Sequence, residues 1–79
     1  MTLNEGKIGE IYELQQLSLP LKVAKRLEAL GMIEGTKIEV LNNKNHGTVI
    51  IKVRGTRFAI SNRFSKNILV KEGEAWHRT

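Results

Sequence analysis

The side chains able to do chemistry are few and far apart. The chain holds two histidines, His46 and His77, and its eight acidic residues are all glutamates. It has no cysteine and no aspartate. A closed zinc or iron site gathers about four ligands, but His46 falls in a polar loop and His77 near the C-terminal end. No metal ligand set and no cofactor is therefore expected. The hydroxyls belong to five threonines and three serines. Ser18 reads as a helix cap and Ser61 as a turn residue, and neither has a histidine placed to act as its base. Glu5, Glu10, Glu13, Glu34 and Glu39 occupy exposed-type positions, where nothing would shift a carboxyl towards acid–base work. No Gly-Lys-Ser/Thr phosphate loop is present. With no catalytic residue to name, the chain is not expected to be an enzyme.

Charge remains. The formal net charge is +5. From Val40 to Lys71 stand seven basic residues (Lys44, Lys52, Arg54, Arg57, Arg63, Lys66 and Lys71) and no acidic one. A field of one sign favours an anionic partner: nucleic acid, a membrane surface or an acidic protein face. The same residues would also serve as ordinary solvated strand positions. Readers of single-stranded nucleic acid interleave such charges with stacking aromatics. Here Phe58 and Phe64 fall on apolar positions, and Tyr12 and Trp76 are remote, so no nucleic-acid partner is expected.

The elements that must carry these charges follow from periodicity. Seventy-nine residues suit one domain, here 1–72, with 73–79 as a loose C-terminal tail. Ile8 to Leu14 is a strand candidate, with Gly9 as a bulge. Ser18 would cap a helix from about Leu19 to Leu30, with Pro20 in its first turn. Val23, Leu27 and Leu30 form its apolar stripe, beside Ala24, while Lys22, Lys25, Arg26 and Glu28 lie mostly off it. Gly31 stands where a left-handed C′ residue is wanted, and Leu27 with Met32 would close a Schellman ending. Gly35 suits the third position of a type II turn. Gly31, Met32 and Gly35 are thus a structural turn.

Thr36 to Leu41 and Thr48 to Arg54 alternate as strands, joined by the polar loop Asn42 to Gly47. Gly55-Thr56 reverses into Arg57 to Ile60. A single helical turn carrying Phe64 precedes a last strand, Ile68 to Val70. The fold class is mainly β: a small five-stranded barrel with one inserted helix and a helical turn before the last strand. No apolar run reaches the ~20 residues that span a bilayer, and the N-terminal segment lacks a signal-peptide pattern. A cytoplasmic protein without membrane insertion is expected. Edge strands leave a homo-oligomer open.

The spine Leu3-x-x-Gly6-x-x-Gly9-x-Ile11, then Arg26-Leu27-x-x-Leu30-Gly31-Met32-x-x-Gly35-x-x-Ile38-x-Val40, resembles the ferrous iron transport protein A (FeoA) family. Gly47-Thr48-Val49-x-Ile51-x-Val53-x-Gly55 and Ile68-Leu69-Val70 continue the likeness, which covers about Leu3 to Lys71. The family often has proline where Glu34 stands and near Val49; glutamate is tolerated in a type II turn. The resemblance implies an SH3-like barrel and a cytoplasmic accessory role in ferrous iron uptake. It implies a FeoB-like partner, the membrane iron transporter with a GTP-binding domain, and recruitment through it to the inner face of the membrane. The family is also grouped with transition-metal handling, because similar domains end the chains of metal-dependent repressors; no metal-binding role is carried onto any residue here. Docking would use a groove between helix and barrel, with Lys22, Lys25, Arg26, Arg54 and Arg57 as candidate partner-binding residues. The competing reading is a nucleic-acid-binding barrel, or a stand-alone counterpart of a repressor's C-terminal domain.

Overall fold

The structure, a computed structural model, describes residues 1–44 and 48–73. A 3₁₀ turn (Leu3–Glu5) leads into β1 (Ile11–Leu17), α1 (Leu21–Ala29), β2 (Lys37–Asn43), β3 (Val49–Val53), β4 (Thr56–Ile60), the one-turn α2 (Asn62–Ser65) and β5 (Ile68–Glu72). The strands form one antiparallel sheet in the order β4-β3-β2-β1-β5. The expected mainly β architecture, helix insertion and helical turn are all present. The strand order does not join β4 to β5, so the barrel is open along that seam.

Alternation explains the core. Ile38 and Val40 of β2, Val49, Ile51 and Val53 of β3, Ile60 of β4, and Ile68 and Val70 of β5 are all buried in one cluster. Tyr12 and Leu14 of β1, Leu27 of α1 and Met32 complete its centre, and Leu3 of the 3₁₀ turn is fully buried within it. Leu17, Val23, Phe58 and Phe64 pack against it.

Four boundaries in the chain differ from the sequence reading. Gly9 has φ +89° and stands in a turn, with the Glu10 N–H donating to Lys7 O at 3.1 Å, rather than in a strand bulge. The strand therefore starts at Ile11 and leaves Ile8 exposed. The bulge lies further on, between Leu14 and Gln16, where β1 shifts register against β5. It moves the inward side from Tyr12 and Leu14 to Leu17, so the strand runs past its expected end at Leu14 to Leu17. The helix begins at Leu21 with Pro20 as its N-cap. A residue before proline is driven out of the α region, which bars Leu19 from the helix and makes Ser18 too distant to cap it. At the other hairpin, Arg54 (φ 52°) and Gly55 (φ 83°) form the two-residue turn, and Thr56 already pairs with Val53.

β2 also runs longer than expected, through Asn43, with a register shift between Val40 and Asn42. That shift brings Asn43 to the core side, where its Nδ2 donates to the carbonyls of Asn4 (3.0 Å) and Gly6 (2.9 Å). One amide thus ties the N-terminal turn to β2. The expected loop at 45–47, with His46, and the expected tail beyond Gly73, with Trp76 and His77, lie outside the described residues.

Candidate functional site

The turn after α1 sets the position of everything around it. Met32 N–H donates to Leu27 O at 3.0 Å and Gly31 N–H to Glu28 O at 2.9 Å, the two bonds of a Schellman ending, with Gly31 at φ +102°. Met32 is fully buried, as an apolar C″ residue should be. Thr36 N–H then closes a turn onto Ile33 O at 3.0 Å with Gly35 at φ +89°. Thr36 Oγ1 donates to Gly31 O at 2.9 Å, locking the two turns together. Arg54, at the β3–β4 hairpin tip, lies across this turn: a Cβ built on Gly31 would sit 2.9 Å from Arg54 Cδ. Its guanidinium is thereby brought to the C-terminal end of α1, where cations are favoured by the helix dipole. Beside it a shallow cleft of about 460 Å³ is lined by Ile33, Glu34, Gly35, Thr36, Lys37 and Arg54. Its charges are mixed.

A second concavity, about 370 Å³, separates α1 from β4 and α2. Its walls are Lys22, Val23, Arg26 and Leu27 of α1, Ala59 and Ile60 of β4, and Ser61 and Phe64 beyond them. Its floor is apolar, and its charged lining residues are all basic. The Arg63 guanidinium stands 6.0 Å from the ring centroid of Phe64, one of the lining residues. This is the expected groove between helix and barrel.

Of the five candidate contact residues, the fold gathers some and separates others. Lys22 and Arg26 share the groove rim because they are four apart on the helix. Lys25 is exposed, about 100° around the helix from Arg26, and turns away from the groove. Arg57 is exposed on β4, the strand that forms the far wall. Arg54 belongs to the other cleft. The apolar floor residues Val23, Leu27, Ile60 and Phe64 were read in the sequence as core alone. The signal available was their position: Val23, Leu27 and Phe64 each stand directly after a basic residue, whereas Ile60 carries no such mark.

Outward-facing residues line up across the strands in two rows. In one, Lys71 of β5, Glu13 of β1 and Lys37 of β2 stand opposite one another, and Lys71 Nζ lies 3.6 Å from Glu13 Oε2. In the other, Glu39 of β2 faces Lys52 of β3, which faces Arg57 of β4. The first row alternates in sign; the second ends on two like charges.

Among the described residues, no three histidine or acidic side chains stand together in a way that could hold a metal ion. Glu5 has its pKa lowered, by the hydrogen bond from Thr2 N–H (3.0 Å) first and by the Thr2 hydroxyl second. That serves the cap of the 3₁₀ turn, not catalysis. Phe58 and Phe64 are half-buried against the core and Tyr12 is buried, so the described residues display no aromatic platform for bases. No described helix is long and apolar enough to cross a membrane.

The antiparallel five-stranded sheet with its inserted helix and one-turn helix before the last strand defines a small SH3-like module. Residues 1–72 match the FeoA domain, and the chain belongs to the FeoA family. It is 31% identical over 69 residues to a protein of Methanocaldococcus jannaschii named for Fe(2+) transport, covering 87% of this chain and 83% of that one. The FeoA protein of Chlorobium tepidum has a similar structure, with a TM-score of 0.84 at 25% identity, over 95% of this chain and 75% of that chain. A crystal structure of an iron uptake regulatory protein (FeoA) superposes with a TM-score of 0.80 at 27% identity, over 92% and 96% of the two chains. A manganese-dependent transcriptional repressor shares the fold alone, at 12% identity and a TM-score of 0.81, over 41% of its own chain.

Proposed function

We propose that this chain is a small cytoplasmic accessory protein of ferrous iron uptake. It acts by docking on the cytoplasmic GTP-binding region of the membrane iron transporter, which recruits it to the inner face of the membrane. Membership of the FeoA family and the relative named for Fe(2+) transport support the iron-uptake role. The observation that carries the docking mode is the α1/β4/α2 groove, lined mostly by apolar residues and with no charged lining residue that is not basic. Such a surface combines a desolvated apolar centre with charges that steer and orient an acidic partner. Lys22, Arg26 and Arg57 make the charged contacts. Lys25 adds to the long-range field, and Arg54 braces the turn that positions α1.

The test is a pull-down of the transporter's purified cytoplasmic region by this chain. Reversal of Lys22, Arg26 and Arg57 to glutamate lowers recovery at low salt. Equal recovery would overturn charge-guided docking. The nucleic-acid reading lacks a stacking surface among the described residues, and its fold likeness to a repressor carries no function on its own.

A further inference from the structure

The two outer strands of the sheet are finished differently. Along β5, Val70 N–H donates to Met1 O at 2.9 Å and Thr2 bridges to Leu69, so the N-terminal residues cover that edge. Along β4, no such cover is present among the described residues. The Arg54-Gly55 turn has both φ values positive, 52° and 83°, as a type I′ hairpin requires, which makes Val53 and Thr56 the hydrogen-bonded closing pair. Antiparallel pairs alternate between bonded and non-bonded. Thr56, Phe58 and Ile60 therefore direct their N–H and C=O groups to β3. Arg57 and Ala59 direct theirs outward, along the edge where Ala59 lines the groove.

The same edge carries unbalanced charge. The row Glu39–Lys52–Arg57 reads negative, positive, positive, and like charges directly opposite are unfavourable. Lys22 and Arg26 face the edge from α1 across the groove. A second copy of this chain would add cations to cations, and charged edge residues are how natural sheets avoid such pairing. An acidic strand would do the reverse.

We propose that β4 accepts an extended acidic segment of the partner as an added strand. Main-chain bonds form to Arg57 and Ala59, an acidic side chain sits opposite Arg57, and alternate apolar side chains turn to Val23, Leu27 and Phe64. This deepens the docking function above and rests on it for the partner's identity. Strand addition obtains affinity from main-chain bonds and selectivity from alternate side chains, and a binder of this kind is defined by charge and pattern before sequence.

The test uses the full ¹⁵N-labelled chain and two synthetic octapeptides, one alternating Glu with Val and one alternating Lys with Val. The Glu/Val peptide slows amide exchange at Arg57 and Ala59 by about tenfold or more, equivalent to about 1.4 kcal/mol of protection, and the Lys/Val peptide does not. No slowing, or equal slowing by both, overturns the proposal. Ala59→Pro removes one outward donor at a position where an edge strand tolerates proline. It weakens Glu/Val binding about tenfold, whereas Ala59→Thr does not; unchanged affinity in Ala59→Pro overturns the proposal. Because Ala59→Pro could disturb the hairpin, the wild-type chain is also titrated with a Glu/Val peptide N-methylated on alternate residues, in both registers. Retained binding by both methylated forms overturns strand addition. The transporter's cytoplasmic region separates the two levels. If it binds Ala59→Pro as well as wild type, docking stands and strand addition falls. If it binds neither while the Glu/Val peptide protects the edge, strand addition stands and the assigned partner falls.

Discussion

One sheet presents two edges, and they meet their surroundings on different terms. The β5 edge is covered by Met1 and Thr2, anchored by the fully buried Leu3, and its outward row of Lys71, Glu13 and Lys37 alternates in sign. The β4 edge is uncovered among the described residues, ends its row on two cations, and runs beside a groove whose wall is α1. The first edge is finished by the chain itself. Among the described residues, the second has outward main-chain donors and acceptors, and charge, without partners. The proposed docking surface thus lies along the edge that the described residues leave open.

The sealed edge breaks with the largest effect. Leu3→Ala removes a fully buried side chain and costs about 2–4 kcal/mol in urea unfolding. Exchange at Leu69 and Val70 rises as the N-terminal cover loosens. The groove wall comes next. Gly31→Ala forces a Cβ onto a residue at φ +102° and against Arg54 Cδ, costing about 1–2 kcal/mol. Arg54→Ala in the same chain recovers only the steric part of that loss, so in a double-mutant cycle the double variant is less destabilised than the sum of the two single changes.

The smallest effect concerns the cap of the N-terminal turn. Hydrogen bonds from Thr2 hold the Glu5 pKa below its ordinary 4.5. A carboxyl depressed by folding stabilises fully above that value and loses its contribution as pH falls through the folded pKa. Glu5→Gln therefore lowers stability slightly at neutral pH, leaves it little changed once pH has fallen through the folded pKa, and so flattens the acid limb of the profile, as a pH series of thermal melts checks.

Local chemistry made parts of this readable from sequence. The end of α1 needed only Leu27, Gly31 and Met32 at the right offsets, and the Schellman bonds are there. The alternation of Val49, Ile51 and Val53 placed β3 on the core without reference to its neighbours. What failed depended on distant residues or on one overlooked angle. The inward face of β1 changes parity at a bulge fixed by pairing with β5, so no single alternation fits its sequence. Asn43 looked like loop, yet its role is set by carbonyls of Asn4 and Gly6 some 40 residues earlier (separations 39 and 37). The groove exists because α1 stands across from β4 and α2, and neither helix announces the other in the sequence. Lys25 and Arg26 are adjacent in sequence and face different ways, which helical geometry alone distinguishes.

The account turns on which edge the partner meets. The most direct measurement is the affinity of the transporter's cytoplasmic region for two paired charge reversals of this chain. One is Lys22→Glu with Arg26→Glu at the groove; the other is Lys66→Glu with Lys71→Glu at the β5 end of the sheet. Both change the net charge equally, so steering by the overall field is matched. The groove pair loses about tenfold or more in affinity while the β5-side pair loses less than about twofold. Equal losses, or a larger loss at the β5 side, would contradict the assignment of the open β4 edge as the docking surface.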